Sequence, residues 1–149
     1  MMFSTKAEYG VRVMAHLAGR GGAEPVALGT IAEAEGLPLA YLEHLVARLR
    51  RADLVASRRG AHGGYSLTRP PDAISMAEVV EALEGDIAPI ECISEGADGV
   101  LVCSRESTDR TCPTKLLWTR VRGSIVATLR EMTLSDLAQP APERKKTAA

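Results

Sequence analysis

Residues 28–52 read LGTIAEAEGLPLAYLEHLVARLRRA. Leu28, Ile31 and Ala32 fall on one face of a short helix, which Gly36 stops and Pro38 cannot continue. A second helix is predicted to begin at once. From Leu39 to Ala52, Leu42, Leu45, Val46 and Leu49 make an apolar stripe, while Ala40, Tyr41, Glu43, His44, Ala47, Arg48 and Arg51 point away from it. Two helices joined by a tight turn, the second with a polar, basic outer face, form a helix-turn-helix pattern. Upstream, Ser4 is a plausible N-cap for a first helix in which Ala7, Val11, Met14, Leu17 and Ala18 recur at helical steps until Gly19 to Gly22. Downstream, Leu54–Arg58 and Tyr65–Thr68 read as two short strands around a glycine-rich turn, a wing carrying Arg58, Arg59 and His62. A slim hairpin with arginine suits a minor groove, and a helix suits the wider major groove.

The composition agrees with this outline. With 149 residues, 46% hydrophobic and 25% charged, the chain can bury the core of one globular domain. One Trp, three Tyr and one Phe are too few aromatics for a strand-rich fold, which favours a mainly α class. No apolar run approaches the roughly 20 residues of a membrane span. Lys6, Glu8 and Arg12 stand where a signal peptide would be apolar, so a cytoplasmic protein is expected. The net charge of -1 hides a segregation: Arg48, Arg50, Arg51, Arg58, Arg59 and Arg69 face a single acid, Asp53, between residues 44 and 69. From Asp72 to Ser104 there are eight acids and no Lys or Arg. Segregated positive charge attracts polyanions.

Ser75 to Glu78 is a capping box opening a helix with Val79, Val80 and Leu83 on one face and Gly85 as its stop. Residues 86–111 are rich in Gly, Ser, Asp and Pro, lack sustained periodicity and hold two of the three cysteines. A loop this long needs a reason, such as a metal that ties it down. Cys112-Pro113 then introduces the longest helix, with Pro in the first turn and a stripe of Trp118, Val121, Ile125, Thr128 or Leu129, and Met132. That stripe packs either within the chain or against a second copy. His16 reads as a core residue, Leu134 to Leu137 as one further turn, and 139–149 as a disordered tail.

Cys92, Cys103 and Cys112 contain no Cys-x-x-Cys pair, which argues against a zinc ribbon and a thioredoxin-like motif. Three is an odd number for a disulfide framework. Spacing alone leaves inert small hydrophobes and ligands both open. A thiol at a helix N-terminus, as at Cys112, is shifted toward the thiolate that ligates metals, and soft sulfur suits iron–sulfur clusters and zinc alike.

Ser-Thr-Lys-Ala-Glu-Tyr-Gly-Val-Arg (4–12), Tyr-Leu-Glu-His-Leu-Val-Ala-Arg-Leu-Arg (41–50), Arg-Gly-Ala-His-Gly-Gly-Tyr (59–65), Ala-Glu-Val-Val-Glu-Ala-Leu (77–83) and Thr-Leu-Ser-Asp-Leu (133–137), with the cysteine arrangement, carry a resemblance. From about residue 2 to residue 138 the chain resembles bacterial winged-helix iron–sulfur regulators of the IscR, NsrR and RirA type. The resemblance implies a cytoplasmic homodimer with a long crossed dimerisation helix, reading palindromic operators on double-stranded DNA. It implies an iron–sulfur cluster, 2Fe–2S or 4Fe–4S, held by Cys92, Cys103 and Cys112. In the IscR pattern a histidine follows the last cysteine by three residues, but here Lys115 stands there, and an ammonium cannot substitute. In the NsrR branch a carboxylate of the partner subunit completes the cluster, and Glu8 occupies the matching position; its alternative reading is a solvated carboxylate.

On this reading residues 1–72 form the winged helix-turn-helix, 73–91 a connecting helix and linker, 92–112 the cluster loop, and 113–138 the dimerisation helix and terminal turn. Arg48, Arg50 and Arg51 are expected at phosphates or base edges, Tyr41, Glu43 and His44 at the groove-facing tip, and Arg58, Arg59 and His62 on the wing. Glu43 either accepts from cytosine or pairs with an arginine one turn on. Nothing resembles a nucleophile–base pair, a phosphate loop or a cofactor fingerprint, so an enzyme is not expected, nor a membrane or small-molecule substrate. The alternative keeps the fold without the cluster, as a regulator acting by thiol oxidation or partner-protein binding.

Overall fold

The computed structural model describes residues 3–107 and 111–138. The expected tail, 139–149, lies outside the described residues. The helix-turn-helix is present as α2 (Leu28–Glu35) and α3 (Leu39–Arg51). Gly36 sits between them at φ 66°, the left-handed conformation that ends α2. Leu28, Ile31 and Ala32 of α2 and Leu42, Leu45, Val46 and Leu49 of α3 are buried, as their spacing predicts. Helix α1 (Thr5–Gly19) starts at Ser4, whose hydroxyl accepts from the Lys6 amide; its Val13, Met14, Leu17 and Ala18 share one buried core with the pair, and Ala7 is buried as well.

The wing is β1 (Val55–Arg58) paired antiparallel with β2 (Gly64–Leu67), with Val55 opposite Leu67 and Arg58 opposite Gly64. It does not hang free. Val26, ahead of α2, exchanges both backbone hydrogen bonds with Tyr65 at 2.9 Å, and the Leu67 amide donates to the Gly22 carbonyl at 2.8 Å. The approach needs glycine at Gly64, where a Cβ would stand 2.7 Å from the Ala27 nitrogen and φ is 147°.

After a 3-10 turn, Pro71–Ala73, the capping box at Ser75 and Glu78 opens α4 (Met76–Glu84), with both reciprocal bonds made. Its buried face, Met76, Ala77, Val79, Val80 and Leu83, lies against α1 and α3. The segment read as structureless contains a second antiparallel hairpin, β3 (Ile93–Glu95) and β4 (Leu101–Cys103). Strands of three residues are too short to leave a period in the sequence. Asp98-Gly99, with Gly99 at φ 78°, makes the turn.

The long helix α5 (Lys115–Glu131) starts later than Cys112-Pro113 predicts; Pro113 lies in a turn before the cap residue Thr114. Only Val126 of α5 is fully buried, with Ile125 and Leu129 packed beside it against Val80, Ile87 and Val11. The segment after α5 folds back. Met76 and Leu134 amides donate to Met132 and Ile74 carbonyls at 2.9 Å, and Leu134 of α6 (Leu134–Ala138) is buried in the same core as the helix-turn-helix. The chain is thus mainly α with a two-stranded wing. No described helix is long and apolar enough to cross a membrane.

Candidate DNA interface and cysteine site

The outer face of α3 and the wing are both exposed. Glu43, His44, Arg48, Arg50, Arg51, Arg58, Arg59 and His62 are all exposed. Among the described residues none of these arginines makes an ion pair, and apart from Arg48 their charge faces solvent uncompensated. Glu43 pairs with no arginine either. Arg69 differs: it bonds the Glu78 carboxylate at 2.8 Å and the Ala73 carbonyl at 3.0 Å, a structural role at the base of α4. Arg48 also turns inward, donating from Nη1 to the Leu83 carbonyl at 3.4 Å. Tyr41 is half-buried, edge-on to Tyr9 with ring centroids 5.7 Å apart, so its ring braces α3 on α1. The geometry offers a basic helix face and a basic slim hairpin, which suits adjacent grooves of a duplex.

The second hairpin gathers the cysteines. Cys103 ends β4 opposite Ile93, and the Cys92 carbonyl accepts from the Ser104 amide at 2.9 Å, which puts Cys92 and Cys103 on neighbouring strands at the open end. Cys112 stands two residues before the cap of α5. Cys112 and Cys92 are near enough to act on the ionisation of Cys103. The Arg105 amide pulls the Cys103 thiol down, but burial and the nearness of Cys112 and Cys92 outweigh it and raise the thiol above its ordinary range. Cys112 goes the other way. The hydroxyl and amide of Thr114, then the Cys103 thiol and the Lys115 amide, hold it below the usual thiol range. This is the direction expected at a helix start.

Lys115, in the position of the IscR histidine, is committed to Glu106 at 2.6 Å. Glu106 was not visible as a site residue in the sequence, although a carboxylate near a lysine that replaces a ligand is a readable signal. Glu8 lies elsewhere on the chain. It is exposed on α1, bonds Arg12 at 3.4 Å, and borders an apolar groove of about 650 Å³ lined by Phe3, Ala7, Val11, Val80, Leu129, Met132 and Leu137. Among the described residues no three His, Cys, Asp or Glu side chains surround a point where a single ion would sit. His16 is partly buried between α1 and α2, with Nδ1 3.1 Å from Glu35.

The profile of the Rrf2 family, described as an iron-dependent transcriptional regulator, matches residues 3–140. The chain belongs to the Rrf2 family. It is 40% identical over 138 residues to the HTH-type transcriptional regulator CymR of Bacillus subtilis, covering 93% of this chain and 90% of that protein. It is 36% identical over 137 residues to the transcriptional regulator IscR of Sodalis glossinidius, covering 92% of this chain and 78% of that one. The solved structure of CymR, described as the global cysteine regulator of B. subtilis, superposes with a TM-score of 0.76 at 38% identity over 95% of this chain and 99% of that one. The resemblance to winged-helix regulators therefore holds, and this Rrf2 protein is a transcriptional regulator and not an enzyme.

Within that family the chain combines two traits. Its basic face is built on the same helix-turn-helix and wing as its relatives, and two of its thiols, Cys92 and Cys103, share the open end of one hairpin with Cys112 ahead of α5. Their donor chemistry fits iron and sulfide, since soft thiolates are the ligands of such clusters. The chain alone presents three donors, so a fourth would have to come from outside the trio.

Proposed function

We propose that this Rrf2 regulator binds operator DNA as a homodimer through α3 and the wing, and that its affinity is set by an iron–sulfur cluster on Cys92, Cys103 and Cys112. The observation that supports the proposal is the placing of Cys92 and Cys103 side by side at the open end of the second hairpin, with Cys112 two residues ahead of the α5 cap and held toward thiolate. A cluster bound there supplies a centre sensitive to redox state, oxygen and nitric oxide. Glu8 of a second copy is the proposed fourth ligand, because Lys115 is occupied by Glu106 and cannot serve. A homodimer is supported by the exposed apolar side chains of Leu116 and Leu117 on α5 and of Met132 just after it, together with the apolar groove that Glu8 borders. Two copies reading successive half-sites set their recognition helices about 34 Å apart. Arg50, Arg51, Arg58 and Arg59 contact phosphates or base edges; Glu43 and His44 lie at the groove.

The test is anaerobic purification. The protein should be brown with stoichiometric iron and sulfide, and Cys92→Ala, Cys103→Ala and Cys112→Ala should each bleach it. Glu8→Ala should leave a cluster that is lost faster in air. Colourless wild-type protein refutes the cluster. Affinity for DNA from its own promoter region should fall steeply with salt, and a flat response refutes the DNA reading.

One observation favours a second reading. The thiols of Cys103 and Cys112 act on one another's ionisation, and joining them in a disulfide would release two protons and pass two electrons to an oxidant of the peroxide class. On that reading the protein is colourless, and peroxide changes its DNA affinity in a way that Cys112→Ala abolishes.

A further inference from the structure

We infer that the end of α4, residues Leu83 to Asp86, is a mechanical joint that couples the cysteine hairpin to the recognition helix, and that Arg122 is the positioning residue that closes it. This rests on the reading of the cysteines as the sensing element and adds a route within one chain.

Three of these four consecutive residues reach four other elements, and the fourth is the break between them. The Leu83 carbonyl takes the Arg48 guanidinium of α3 at 3.4 Å. The Glu84 carboxylate accepts from the Ser4 amide at 2.8 Å and pairs with Lys6 at 3.7 Å, tying in the start of α1. Gly85, at φ 88° and ψ -143°, breaks the helix in a conformation that side chains rarely adopt. Asp86 then pairs with Arg122 of α5 at 2.8 Å and accepts from the Glu95 amide at 3.3 Å. Arg122 also holds the Glu95 carboxylate at 2.5 Å, and Glu95 ends the strand that Cys92 precedes.

The clamp is built to hold. The Arg122 side chain is only 12% exposed and its Nε is buried without a partner. A guanidinium so placed that loses its carboxylates is left as an uncompensated charge away from water, which resists partial opening. Ile93, fully buried, pins the same strand. A change at the open end of the hairpin is therefore passed through Glu95 and Arg122 to Asp86, and from there three residues back, across Gly85 and Glu84, to the Leu83 carbonyl that holds Arg48. Coupling through packed, hydrogen-bonded elements needs such a continuous set of contacts and a test of coupling besides.

The test uses the full chain with Arg122→Gln, Arg122→Lys as the conservative variant, and Arg130→Gln, an exposed arginine of α5, as control. In reduced protein without iron or DNA, amide exchange is followed in the hairpin and in the last turn of α3, where the Ala52 and Asp53 amides bond Arg48 and Arg50 carbonyls. Arg122→Gln should speed exchange severalfold at both places and leave α2 unchanged, Arg122→Lys should restore part of it, and Arg130→Gln should change neither. Separately, affinity for promoter DNA is compared between protein reconstituted with iron and sulfide and protein stripped by chelation. A wild-type ratio of about fivefold or more, the lower end of usual coupling, should fall toward one in Arg122→Gln. Unchanged exchange in α3, or a ratio kept in Arg122→Gln, overturns the joint. A wild-type ratio of one with α3 still answering to Arg122 overturns the iron reading and leaves the joint. If Arg122→Gln fails to fold, Asp86→Asn cuts the same tie and is read the same way.

Discussion

Gly10 lies in the middle of α1 where α4 crosses it, and the substitution Gly10→Ala sets two effects of known size against each other. Alanine is the better helix former by about 1 kcal/mol. The added Cβ, however, would stand 2.6 Å from Leu83 Cδ2, closer still to Cδ1, and 3.0 Å from Cγ. Leu83 is fully buried, so it cannot swing aside without displacing neighbours. Overpacking of this kind costs about 1–3 kcal/mol, and with three atoms in conflict the upper end applies. Gly10→Ala should therefore destabilise the protein by about 1–2 kcal/mol net. In a Leu83→Ala background, itself costing about 2–5 kcal/mol, the obstruction is gone and the same substitution should stabilise by about 1 kcal/mol. The coupling between the sites is then about 2–3 kcal/mol. Urea titrations at one protein concentration measure all four corners of the cycle. If Gly10→Ala carries the same sign in both backgrounds, the close packing of α1 on α4 is not what requires glycine.

Three further outcomes are expected. Arg50→Ala and Arg59→Ala should each flatten the dependence of log affinity on log salt by about one unit, and Arg48→Ala, held by the Leu83 carbonyl, by less; equal slopes refute the inward role of Arg48. Burial pushes the Glu84 carboxyl up, but the Ser4 hydroxyl and amide, helped by Lys6, bring it below its ordinary value of 4.5. Its contribution to stability is thus complete above that value and lost as pH falls through the lower folded value, so Glu84→Gln should lower the urea midpoint near neutrality and flatten its fall in acid. A wild-type-like acid profile in the variant would refute that. Leu116 and Leu117 are 65% and 55% exposed. If they meet a second copy, Leu116→Glu forfeits about 3 kcal/mol or more over two subunits, about a hundredfold in dimer Kd; sedimentation showing an unchanged dimer refutes that contact.

The helix-turn-helix, its Gly36 break, the Ser4 cap and the Ser75–Glu78 box were legible because they rest on local rules: a 3.6-residue period, a left-handed glycine, a side chain reaching three residues ahead. The wing was legible from its glycines and alternation. The second hairpin was not, since three-residue strands are set by pairing across the turn and leave no period, although Asp98-Gly99 was a turn signal. Tyr41 and Arg48 were read as outward from their positions on the chain, and Arg69 was counted with the basic segment. Their half-burial against Tyr9, their bond to Leu83 and their pairing with Glu78 depend on helices that approach from elsewhere. The Arg122–Asp86–Glu95 clamp joins residues up to 36 positions apart, and no window of sequence contains it.

The double stitch between the segment ahead of α2 and the wing, at Val26–Tyr65 and Gly22–Leu67, has a consequence for how a target is chosen. A hairpin tied at its base to the chain that enters the reading helices keeps its arginines at a fixed offset from α3 before any duplex arrives. Little conformational freedom remains to be given up on docking, so more of the contact energy survives as affinity. A rigid two-pronged probe also has little slack with which to accommodate a duplex of the wrong groove width, and the local shape of the DNA becomes part of what is recognised.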